Sequence, residues 1–132
     1  VCPPTSLPGS TPRRWRVRRR RSPGFVAAQL EFESGFDARA VGPGGQLGPA
    51  QLLPHQVAEY VHDDNGNGTA SPFEIGDAVA ALVRLDCRLV DQLAAAGKPT
   101  DVETVAAAYD AGPTGVDLPV AREYARAVVA AM

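Results

Sequence analysis

Two glutamates interrupt the apolar run LEFESGFDARA, residues 30–40, and Gly35 follows soon after the second. A carboxyl group set among hydrocarbon is a candidate general acid, because a dry setting disfavours its charged form and keeps a proton available near neutral pH. Winding residues 25–33 into a helix at about 100° per residue separates the two glutamates. With Phe25 at zero, Phe25, Val26, Leu30 and Phe32 share one arc from roughly −20° to 140°, and Glu33 sits inside it at about 80°. Glu31 falls at about 240°, among the alanines on the far side. The last turn of a helix also presents the negative end of its dipole, which favours the neutral acid at Glu33. Chemistry is therefore expected of Glu33, while Glu31 reads as a solvent-facing or packing partner.

A second group of candidate ligands is DDNGNGTASPFE, residues 63–74, which fits the twelve-residue calcium-loop spacing. Oxygens of Asp63, Asn65 and Asn67 would converge, Gly68 would allow the sharp turn, Thr69 would offer its carbonyl, and Glu74 would close the site bidentately. Such an ion would be structural, with the weak affinity of extracellular modules. The competing reading is a polar turn in which Ser71 caps the next helix and Glu74 completes a capping box. His55 and His62 stand seven apart with no third ligand nearby, a poor zinc pattern.

The elements that must position these residues are helical. FVAAQLEFE, 25–33, reads as a short helix stopped by Gly35. GPGGQLGP, 42–49, has too many Gly and Pro to be anything but a shaped loop. QLLPHQVAEYVH, 51–62, gives a second helix after Pro54. Residues 72–97 form the longest helix, with an apolar stripe of Ile75, Val79, Leu82, Leu85, Leu89 and Leu93 and a stop at Gly97. A short alanine-rich helix at 101–109 and a last one from Pro119 complete the chain. No strand signal is convincing, so the fold class is all-α.

Composition agrees. Apolar residues make up 45 % of the 132, led by alanine and valine, which favours small-residue helix packing over a β-sandwich. The net charge of −2 hides a split: residues 1–24 carry seven arginines and no acid, and the remainder carries an excess of acids. Residues 1–24 read as a disordered basic tail and 25–132 as one domain. RRWRVRRRR has the charge to meet nucleic acid or an anionic surface, but a solvated arginine run, or the mistranslated front of a GC-rich frame, is the expected meaning. Cys2 and Cys87 either form one disulfide, implying an oxidising compartment, or are a dispensable thiol and a buried one. No run is long enough for a transmembrane helix, and the tail lacks the apolar stretch of a secretory signal.

ESGF at 33–36, GPGGQLGPAQLLP at 42–54 and AAYDAGP at 107–113 resemble, in order and spacing, three signature stretches of the lytic transglycosylases of the lysozyme-like superfamily. LPVAREYARAVV resembles that family's closing segment with its Arg-x-Tyr. The resemblance covers nearly all of the chain after the tail, and acidic glycine-rich loops like 63–74 occur in actinobacterial relatives. It implies a lysozyme-like helical domain, secreted or in the cell envelope, acting as a monomer on peptidoglycan strands with no cofactor needed for catalysis. Glu33 would be the single catalytic acid/base. Ser34, Gly45, Gly48, Gln51, Tyr109, Asp110 and Tyr124 would contact substrate, with Tyr109 near Glu33 and helping to orient it or the substrate. One glutamate suffices if the substrate's own acetamido group and 6-hydroxyl replace the second carboxylate of ordinary glycosidases. Glycines in the loop would let a polysaccharide lie against backbone. The chain departs from the family at Gly42 for a serine, Asp110 for an asparagine, and Val120 for a glutamate. Asp110 is the consequential one: it repels substrate-side charge, raises the Glu33 pKa further, supplies the second acid of a lysozyme-type hydrolase (in which Asp110 or Asp37 would position water), or is a tolerated surface change. A non-catalytic peptidoglycan-binding module is the remaining alternative.

Overall fold

The computed structural model describes residues 22–132. The tail expected over 1–24 lies outside them up to residue 21, as does Cys2; Cys87, half-buried on the third helix, is not a free thiol. Five helices follow in order: α1 (Ser22–Ser34), α2 (Pro54–Tyr60), α3 (Ile75–Ala95), α4 (Val102–Ala111) and α5 (Pro119–Ala130). Among the described residues there is no strand, only the isolated bridges Val41–Leu47 and Leu47–Leu52. No helix among them is long and apolar enough to cross a membrane.

The core forms around α4, whose Thr104, Val105, Ala106, Ala107 and Ala108 are all buried. A helix enclosed on every side needs short side chains, which explains its alanines. Against it α5 lays Ala121, Ala125 and Val128, at a spacing of four and then three that keeps them on one face. The stripe of α3 supplies Leu82, Leu85, Leu89 and Leu93. Ile75, expected to head that stripe, is 47 % exposed. Pro72–Glu74 turn instead of continuing the helix, so Ile75 is its first residue and overhangs the core.

Helix α1 starts three residues before its periodicity placed it and ends as expected at Gly35. The Gly35 N–H donates to the Glu31 carbonyl and the Phe36 N–H to the Leu30 carbonyl, with positive φ at both Gly35 and Phe36. This double closure satisfies carbonyls that the helix end would otherwise orphan. The buried face of α1 is Ala28, Gln29 and Leu30, so Phe32, expected inside, is 46 % exposed. Gln29 is the centre of that face, its amide donating to Asp86 of α3 at 3.0 Å, and Phe32 lies near the helix end, past the core.

The loop from Asp37 to Leu53 is held like a small folded unit. Leu47 and Leu52 exchange backbone hydrogen bonds at 2.9 and 3.1 Å, and the Gly48 N–H donates to the Ala40 carbonyl at 2.8 Å. Ala50 and Leu52, both 0 % exposed, pin it into the core. Gly48 is glycine for a reason other than the expected room for sugar: with φ of 76°, a Cβ there would stand 1.8 Å from the Pro72 carbonyl oxygen. The loop therefore rests directly on the turn that starts α3.

Residues 63–71 are organised by a residue that sequence reading passed over. Asp77, fully buried in the first turn of α3, accepts from the N–H groups of Asp64, Asn65 and Ser71. Burial raises its pKa, but these donors outweigh that and leave it lowered. Arg84 clasps the Asp64 carboxylate with both guanidinium arms, at 2.7 and 2.5 Å, and also donates to the Tyr60 carbonyl. The expected Ser71 cap does not form: the helix begins after Glu74, and the Ser71 hydroxyl accepts from the Phe73 N–H.

Candidate active site

Glu33 stands at the end of α1, where the helix gives way to the loop. Ser34, next to it, donates its hydroxyl to the Pro49 carbonyl at 2.8 Å and back to Leu30, tying the helix end to the loop. From the opposite wall the Tyr109 hydroxyl donates to the Ala50 carbonyl at 2.6 Å. Two side chains from two helices thus clamp Pro49–Ala50. The segment they hold presents Gln51, whose backbone φ of 53° turns its side chain toward the loop interior. The Gln51 amide donates to the Gly48 and Ala40 carbonyls at 2.8 and 3.3 Å.

These elements enclose a cavity of about 110 Å³ lined by Glu33, Gln46, Gln51, Gln56, Tyr109 and Asp110, over Leu53 and Leu85. Three of the expected residues, Gln51, Tyr109 and Asp110, thus share one space with Glu33. Ser34 and Gly48 lie behind it as supports, and Gly45 is at the exposed loop tip. Gln46 and Gln56 were missed. Gln56 had a signal, since a polar residue in the first turn after Pro54 can cap the helix, and its side chain accepts from the Leu53 N–H.

The group that orients Glu33 is Tyr124 rather than Tyr109. The Tyr124 hydroxyl donates to a Glu33 carboxyl oxygen at 2.5 Å across 91 residues of sequence. Tyr109 lines the same cavity as Glu33, but its hydroxyl is engaged with the loop. Burial pushes the Glu33 pKa from 4.5 to about 6, the Tyr124 hydrogen bond pulls it down, and Asp110 across the cavity pushes it up. Burial, with the Glu33 charge beside it, also raises the Tyr124 pKa, so the phenol stays a donor. Asp110 is itself raised by partial desolvation. At pH 7 a group with pKa near 6 is protonated about a tenth of the time, roughly thirtyfold more than at its ordinary value. The arrangement can deliver a proton to a buried acceptor and take one back.

Opposing contributions to one pKa make a signed prediction. Tyr124→Phe removes a donor to the charged form, so the alkaline limb of the pH–activity profile is expected to move to higher pH. Asp110→Asn removes a like charge, so the limb moves to lower pH. Activity profiles of the two variants check this, and shifts of the same sign would refute the assignment of those influences.

The 63–74 loop stands apart from the cavity. Asp63 accepts from the Asn67 and Gly68 N–H groups, and the Glu74 carboxylate accepts from the side-chain amides of Asn65 and Asn67. Asn67 also receives the Thr69 N–H. Two carboxylates of the expected ligand set, Asp63 and Glu74, thus face into the loop and hold its amides. Among the described residues, no group of three or more His, Cys, Asp or Glu is placed to hold a metal.

The fold and site together describe an all-α domain with a small polar cavity and a half-buried acid at a helix end. In fold, the chain is similar to the 70 kDa soluble lytic transglycosylase of Escherichia coli. That crystal structure superposes with a TM-score of 0.63 at 18 % identity, over 81 % of this chain and 20 % of that one. At that identity the likeness establishes the lysozyme-like helical fold, and this chain spans about a fifth of the solved one. No family model and no curated protein sequence matches the chain.

Proposed function

We propose that this domain is a peptidoglycan lytic transglycosylase with Glu33 as its catalytic acid and base. The observation that carries the reading is the Tyr124–Glu33 hydrogen bond at the wall of a small polar cavity; the fold likeness and the ordered motif resemblance support it. In the proposed reaction Glu33 gives its proton to the glycosidic oxygen between N-acetylmuramic acid and N-acetylglucosamine. The acetamido group of the muramyl sugar supports the developing positive charge at C1. Its 6-hydroxyl then bonds to C1, and the Glu33 carboxylate takes the hydroxyl proton, restoring the acid. No water is consumed and one product ends in a 1,6-anhydro ring. Tyr124 holds the carboxyl in place through both proton transfers, and Gln46, Gln51 and Gln56 offer neutral amides to sugar hydroxyls. Such a domain works at the cell wall.

A second reading is favoured by one feature: Asp110 shares the cavity with Glu33. A second carboxylate there would let water attack C1 with Asp110 accepting its proton, which is hydrolysis. Mass spectrometry of digested sacculi decides between the two. Anhydro-muramyl ends support transglycosylation, reducing ends alone establish the hydrolase, and intact sacculi would overturn both. Calcium at the 63–74 loop is a separate proposal resting on the twelve-residue spacing. A calcium-dependent rise in Tm that Glu74→Gln removes would support it, and a Tm indifferent to calcium and chelator would end it.

A further inference from the structure

We propose that the exposed ring of Phe32, beside Glu33, is a sugar-binding wall taking the apolar face of a pyranose in the bound glycan; this rests on the glycan-cleavage reading above. The oxygen that a general acid protonates joins two sugars, so a bound strand has to cross Glu33 and rest on protein to both sides. Glu33 lines the 110 Å³ cavity, which shares walls that include Gln56, Tyr109 and Asp110 with a wider groove of about 430 Å³. Beside the acid stands Tyr124, whose hydroxyl meets Glu33 and whose ring meets Phe32 edge-on, with centroids 6.3 Å apart and planes at 76°. Phe32 and Tyr124 are not among the residues lining either space, yet Tyr124 touches the acid and Phe32 precedes it by one residue.

Phe32 has no role in the core. The other large apolar side chains of α1, Phe25, Val26 and Leu30, are in the core or packed against it, whereas Phe32 is 46 % exposed one residue from the acid. The contact with Tyr124 fixes its ring without covering it. Val120, one turn before Tyr124 on α5 and 72 % exposed, extends an apolar rim on the same helix face. A pyranose carries C–H groups on one face and hydroxyls around its edge. Stacking that face on a fixed aromatic ring buries apolar area while the hydroxyls stay in water. The wall would therefore select for sugars and tolerate variation in what hangs from their edges.

The test uses the full chain and soluble, peptide-stripped glycan strands. Phe32→Ala is expected to raise KM about tenfold, leave kcat within about twofold, and leave the pH profile unmoved, with Phe32→Trp restoring KM. Phe32→Leu, which keeps packing volume but not the flat ring, is expected to behave like Phe32→Ala and guards against a folding defect. An unchanged KM, or normal KM in the leucine variant, would overturn the proposal. So would a fall in kcat with a displaced pH profile, since Phe32 would then merely prop Tyr124. Binding of the same strands to Glu33→Gln chains, with and without Phe32→Ala, reads the wall without turnover. A chain that binds but does not cleave would sink the catalytic reading and leave this one to be settled by Kd.

Discussion

Glu33→Gln is expected to lower glycan cleavage by at least about a thousandfold while leaving the fold intact. Glutamine has no proton to give at any working pH, yet keeps a carbonyl oxygen that can accept from the Tyr124 hydroxyl, now 2.5 Å from the carboxyl. No other carboxyl can take over readily. Asp110 reaches the same cavity, but Tyr124 holds Glu33 and not Asp110. The same substitution is expected to stabilise the protein above about pH 6. The Glu33 pKa is raised from 4.5 to about 6 by burial. Between those values the folded chain keeps the proton and the unfolded chain loses it, so stability falls as pH rises through that window and stays reduced above it. The deficit is about 2 kcal/mol as an upper bound. Measuring sacculus cleavage and Tm together at pH 7.5 checks both halves. Activity near that of the unaltered chain would end the catalytic assignment; lost activity with lost structure would leave it without support from this variant.

Asp86→Asn is expected to give the largest change in stability. Asp86 is buried on α3, and burial pushes its pKa from 3.8 to about 7, with the Gln29 amide at 3.0 Å pulling back. Tyr109 is the other titratable group this carboxylate acts on, so the acid sits beneath the wall of the cavity. The sign is that of a raised acid. Stability is highest where both states are protonated, falls as pH rises from about 4 to about 7, and is flat above. The full loss is about 4 kcal/mol. Asparagine keeps the shape and an oxygen for Gln29 but has no proton to lose. The variant is therefore expected to melt higher than the unaltered chain at pH 8, to match it more closely at pH 4, and to lose most of the slope between. Calorimetric Tm across that range checks this; equal slopes in the two proteins would show that Asp86 ionises without cost. Among the described residues the buried Gln29 carbonyl oxygen has no hydrogen-bond partner, so the amide meets Asp86 through its N–H alone.

The local part of the site was legible in the sequence because it depends on neighbours within one helix turn. Periodicity alone put Glu33 on the inner side of α1 and Glu31 outside, and the glycine stop at 35 follows from backbone sterics. The alanine-rich segments read as helices for the same reason, and their shortness already implied close packing. Where periodicity failed, it failed at helix ends. Phe32 and Ile75 were expected inside because they are apolar, but each sits where its helix runs past the core. The calcium-loop spacing was legible too, while Asp77, which gathers the loop's amides, lies beyond the motif and gave no local signal.

The sequence by itself determined that one carboxyl would stand on the inner side of a helix at its end, since 100° per residue and the neighbouring side chains require it. Only the tertiary structure decided which partners that carboxyl meets. Tyr124 reaches it from the last helix, while Tyr109 is diverted to brace the loop. Asp110 arrives across the cavity, and Phe32 is left facing water beside the acid. A hydrogen bond spanning 91 residues depends on how α5 packs on α4 and α1, and that packing is set by small residues at Ala121 and Ala125 whose identity says nothing about the hydroxyl they deliver.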